Sequence, residues 1–113
     1  MINDWTRGLT PLRSLDAEPI TVVHFWARWN GYDKTCVERL TSIADLFDSS
    51  FPLRSVEIDQ HENRHIASLA GVTNTLPAIA LLVNGVFEEL LLGLHKTEDL
   101  RRTLQEWRDS LPS

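Results

Sequence analysis

Residues 25–34 read FWARWNGYDK, and how they are interpreted decides the fold. The run leading into them, Ile20 to Ala27, is rich in β-branched and aromatic residues, as a buried strand is, and Pro19 opens it. The run after them carries Cys36, Leu40, Ile43 and Phe47 at helical spacing, with Val37 and Ala44 beside that stripe. WNGYDK is therefore a strand-to-helix turn. Asn30 is placed to cap the helix, and Asp33, three residues on, to close a variant of the capping box. Asp33 also sets a negative charge near the positive end of the helix dipole. Each residue is expected to stabilise the helix by roughly 0.5–1 kcal/mol.

Working outward, Phe51-Pro52 ends that element and Leu53 to Ile58 reads as a second strand. A helix over Asn63 to Ala70 is stopped by Gly71. Ala78 to Val83 and Val86 to Leu92 flank Asn84-Gly85, a strong hairpin signal. Thr97 is expected to cap a last helix, with Glu98 and Asp99 in its first turn. Leu100, Leu104, Trp107 and Leu111 form its buried stripe, and Pro112 lies just beyond. Residues 1–19 are the least legible, although Thr10-Pro11 suits the start of a short helix through Leu12 and Leu15. The order β-α-β-α-β-β-α predicts an α/β fold with a mixed central sheet and helices on both faces.

A chain of 113 residues suits a single domain over 1–113. With 42% hydrophobic and 24% charged residues it has the balance of a soluble globular protein rather than a disordered one. The net charge of -5 argues against nucleic acid and favours a basic or neutral partner; even Arg101-Arg102 is flanked by Glu98, Asp99 and Glu106. A single cysteine, Cys36, makes no internal disulfide, which points to a reducing, cytoplasmic setting. MINDWTRGL lacks the apolar core of a secretory signal, and the longest apolar run, Leu76 to Val83, is too short to span a membrane.

With these elements in place the chain resembles thioredoxin from about Val22 to Leu104. FWARWNGYDK looks like the family's FWAxWCGPCK, and VEIDQ looks like the end of the strand that follows the second helix. Leu76-Pro77 leading into AIALLVNG resembles the family's cis-proline loop, last central strand and hairpin turn, and Gly93 falls where the family keeps a glycine facing the active site. The resemblance implies the thioredoxin-like fold. It also shows what is missing. Asn30 and Asp33 match the two cysteines, Tyr32 matches the proline between them, His24 matches the buried aspartate and Ser55 its lysine neighbour. Neither Asn30 nor Asp33 can attack a disulfide, so dithiol reductase activity is not expected.

Two functions remain open on this reading. The first is a redox-inactive binding module that holds an extended segment of a protein or peptide partner. The resemblance implies a groove made by Trp29, Asn30, Gly31, Tyr32 and Asp33, the Thr75-Leu76 backbone before Pro77, and Gly93. The second is a single-cysteine redox enzyme acting through Cys36, although Cys36 sits on the core-facing stripe, where thiols are inert. His61-Glu62-Asn63-Arg64-His65 fits the H-E-x-x-H zinc pattern, but it opens a short exposed helix with no further ligand in sight, so neither metal nor cofactor is expected. His24, inside an apolar strand, is either a neutral core histidine or a hydrogen-bond partner of Asp33.

Overall fold

A computed structural model describes residues 19–59, 61–72 and 75–111. The expected helix after Thr10-Pro11 and the role given to Pro112 lie outside the described residues. Among the described residues four strands form one sheet in the order β2-β1-β3-β4. They are β1 (Ile20–Trp26), β2 (Leu53–Glu57), β3 (Ala78–Val83) and β4 (Val86–Leu92). β1 pairs in parallel with β2, Trp26 opposite Glu57, and antiparallel with β3, His24 opposite Ile79. The β3–β4 hairpin turns at Asn84 (φ 50°) and Gly85 (φ 81°), the paired left-handed conformations that an Asn-Gly turn supplies.

Among the described residues three helices pack on this sheet: α1 (Asp33–Ser42), α2 (His61–Ala70) and α3 (Thr97–Asp109). Alternation along the strands divides the core in two. Val23, Phe25, Val56, Ala78, Ala80 and Leu82 meet Ile66, Ala67 and Ala70 of α2 on one face. On the other, Val22, Ile79 and Leu81 meet Cys36 and Leu40 of α1 and Leu100, Leu104 and Trp107 of α3. Helices thus cover both faces, the mixed architecture read from the sequence.

The elements depart from expectation mainly at their ends. α1 leaves the helix at Ile43 (φ -114°, ψ 24°), and a 3₁₀ turn follows at Ala44–Leu46. Ile43 and Phe47 are buried all the same, so the apolar stripe outlasts the helix that was expected to carry it. The segment is held by α3. Arg101 makes a two-pronged contact with Asp45 at 2.8 and 2.9 Å. Arg108 donates to the Leu46 carbonyl and to Asp48 Oδ2, and lies 5.6 Å above the Phe51 ring. α2 begins at His61 rather than Asn63 and ends at Gly71 (φ 90°), where a left-handed residue closes the helix. Thr97 is the first residue of α3 and not its cap; Lys96 holds the cap position without a side-chain bond.

Candidate functional site

The turn between β1 and α1 is built differently from the capping box expected of it. Tyr32 occupies the N-cap position in a helical conformation, and no side chain caps α1. Asn30 Oδ1 instead accepts the Tyr32 N–H at 2.8 Å, a side-chain turn that stops short of the helix. Its Nδ2 crosses to the loop before β3 and donates to the Leu76 carbonyl at 3.2 Å. Asn30 is therefore a bridge between two loops.

Asp33 turns inward. Its Oδ2 accepts the Ala27 N–H at 2.9 Å, tying the first turn of α1 to the end of β1. Only 5% of the residue is exposed, and burial raises its carboxyl to about 6 against the pull of that backbone bond. It is no simple surface charge on the helix dipole.

Trp29 and Tyr32 behave oppositely, with 65% and 63% of their surfaces exposed. Trp29 is nevertheless anchored, because its Nε1–H donates to Asp59 Oδ1 at 2.8 Å while the Arg28 N–H reaches Asp59 Oδ2 at 3.3 Å. Arg28 Nε also pairs with the buried Glu57 at 2.8 Å. Sequence reasoning missed both carboxylates. The signal was present: once β1 and β2 pair with Trp26 opposite Glu57, the residues two further on in each chain, Arg28 and Asp59, also fall side by side.

On the opposite bank the Leu76–Pro77 peptide bond is cis. Leu76 and Pro77 are buried and Thr75 is exposed. Gly93 (φ 86°) follows β4, and its N–H donates to the Pro77 carbonyl at 2.8 Å. The structure thus joins Asn30 to Leu76 and Pro77 to Gly93. Gly31 is exposed with open space where a Cβ would stand, so no close contact at that point demands glycine.

Behind the turn, His24, Trp26, Ala27, Asp33 and Val37 line a cavity of about 330 Å³, with Arg28, Asn30 and Lys34 completing its wall. His24 Nδ1 lies 3.3 Å from Ser55 Oγ, and complete burial lowers the ring to about 4, so it is neutral. The direct His24–Asp33 hydrogen bond considered from sequence is not formed. His24 Nε2, Trp26 Nε1 and Asp33 Oδ1 are all buried without a hydrogen-bond partner.

Cys36 is 2% exposed, and desolvation, with the Asp33 charge second, pushes its thiol up to about 12. Within HENRH, His65 is exposed on α2, while the side chains of His61 and Glu62 lie outside the described residues. Among the described residues no three His, Cys, Asp or Glu side chains are grouped to hold a metal ion, and no helix is long and apolar enough to cross a membrane.

Curated protein sequences give no significant match. Among solved structures, oxidised thioredoxin from Plasmodium falciparum superposes with a TM-score of 0.68 at 18% identity, covering 85% of this chain and 88% of that one. A mutant thioredoxin from Halobacterium salinarum NRC-1 gives 0.66 at 21% identity, covering 86% of this chain and 81% of that one. At such identities the likeness establishes the fold. The family profile named Thioredoxin matches residues 13–106, well over half of the sequence, and so the chain, with its single cysteine, belongs to the thioredoxin family.

Proposed function

We propose that this protein is a binding module that works without thiol chemistry and holds an extended segment of a partner protein at the turn between β1 and α1. The observation that carries this reading is the pair Trp29 and Tyr32, two large rings held in solvent on a turn that is itself fixed. Exposed aromatics on a rigid base make good contact residues, since little freedom is lost when a partner docks. The Thr75-Leu76 backbone supplies the second bank of the groove and Asn30 ties the two together. Cys36 favours no thiol reaction, because its sulfur is buried and its proton is held tightly.

The test is capture of partners from source lysate by the native protein and by a Trp29→Ala/Tyr32→Ala double variant. A partner retained by the first and lost by the second supports the reading. Equal recovery from both places recognition elsewhere and sinks it. Neither protein is expected to accelerate the reduction of insulin disulfides, because no second thiol can resolve a mixed disulfide.

A further inference from the structure

Trp29 and Tyr32 stand largely in solvent on the turn before α1. Among the described residues no second ring stacks on either, and the cation that lies over an aromatic face is Arg108, at Phe51. The cations nearest in sequence leave both rings alone. Arg28 pairs through Nε with the buried Glu57 at 2.8 Å, and Lys34 makes no ion pair among the described residues. Trp29 is held only at its edge. Its Nε1–H donates to Asp59 Oδ1 at 2.8 Å, a bond in the plane of the indole that leaves the ring faces uncommitted.

Charge around the turn favours one class of occupant. Asp33, Glu57 and Asp59 stand against Arg28 and Lys34, three carboxylates to two cations, in a chain of net charge -5. Among the described residues Asp59 receives only neutral donors, the Trp29 indole and the Arg28 backbone N–H, so its charge is uncompensated at the ring edge. The faces of Trp and Tyr rings carry the negative side of the aromatic quadrupole, and a carboxylate at the indole edge adds to that field. An anion is repelled here, and an apolar side chain gains contact area but no charge complement. We infer that the turn recognises a basic residue of the extended partner segment, an arginine whose guanidinium lies on the Trp29 ring with Asp59 as counter-charge and Tyr32 as a second ring in the same turn. Arginine suits the place better than lysine, because its guanidinium is planar and more weakly hydrated than an ammonium.

This assignment rests on the binding reading above and names the chemistry of its partner. Blocked pentapeptides of alanine carrying a central arginine, glutamine or glutamate are titrated into the full-length, nitrogen-labelled protein, and the Trp29 indole N–H and the Gly31 and Tyr32 amides are followed. The arginine peptide should bind about two- to fivefold more tightly than the glutamine peptide, the gain typical of a cation on an exposed ring, and the glutamate peptide more weakly still. Trp29→Ala, at a largely exposed position, should bring arginine down to glutamine. Asp59→Asn keeps an acceptor for the indole and removes the charge, so it should narrow the arginine preference, as should added salt. Equal binding by arginine and glutamine, a preference for glutamate, or no saturable response to the arginine peptide overturns the inference. So does an arginine preference that survives Trp29→Ala or is untouched by Asp59→Asn. Equal binding by the peptides removes the cation and leaves the groove, whereas failure of the capture experiment, which uses no basic probe, removes the groove itself.

Discussion

Between the sheet and α1, burial pushes the Cys36 thiol up to about 12, so very little thiolate is present near neutral pH. Thiol reagents should therefore label the native protein far more slowly than the unfolded one in denaturant; comparably fast labelling of both would contradict the burial described. His24 and Asp33 lead to a second prediction, on pH. His24 titrates near 4 when folded against 6.5 when unfolded, so its contribution is full above 6.5 and is lost as pH falls through 4. Asp33 runs the other way. Its carboxyl is raised from 3.8 to about 6, so its contribution is full below 3.8 and is lost as pH rises through 6. The two slopes oppose each other over nearly the same range, and the native protein should show a shallow profile there. Asp33→Asn should expose the histidine slope, a loss of about 2–3 kcal/mol on acidification from 6.5 to 4, read from urea midpoints at a series of pH values. An unchanged profile would refute the opposition.

At the scale of elements, the strands and the hairpin turn were legible in the sequence because alternation and Asn-Gly are local signals. Gly71 was legible as a helix stop for the same reason. The turn at Asn30 was not, because the groups that decide it are remote: the Leu76 carbonyl is 46 residues away in sequence. Local rules nominated Asn30 and Asp33 as caps; the Leu76 carbonyl draws the Asn30 amide across to another loop, and Asp33 turns back to the Ala27 N–H. Remote ties also hold the 3₁₀ turn, where Arg108 of α3 grips the Leu46 carbonyl and Asp48 and lies over the Phe51 ring. Arg108→Ala should cost about 1–2 kcal/mol in chemical denaturation, and Arg108→Lys should recover little of it, because an ammonium cannot reproduce the planar fork. Full rescue by lysine would reduce the contact to simple charge.

For the whole molecule, the sheet is shared by two cores. Ile66 and Leu104, both fully buried, lie on opposite faces of it. Ile66→Ala and Leu104→Ala should each cost about 2–5 kcal/mol, and each should shift one common transition. If either change split unfolding into two steps, the two faces would be separate units. The family resemblance was legible from widely spaced motifs, and the fold follows from it. The cavity was not. His24 and Asp33 drew attention in the sequence and Trp26 did not, and only the packing of α1 over β1 shows that all three residues line one space.

The Asn30 bridge carries a further consequence, for chemical ageing. Asn30 precedes Gly31, and the backbone nitrogen after an asparagine readily attacks its side-chain carbonyl when glycine follows, expelling ammonia to leave a cyclic imide that water opens to a carboxylate. Here both ends of that side chain are engaged, by the Tyr32 N–H and the Leu76 carbonyl. Attack requires the bridge to let go, and the carboxylate formed could no longer donate to Leu76. The hairpin holds a second such pair, Asn84-Gly85, exposed in its turn. The relative rate at which the two asparagines age in one sample is thus a built-in clock for how often the two loops part.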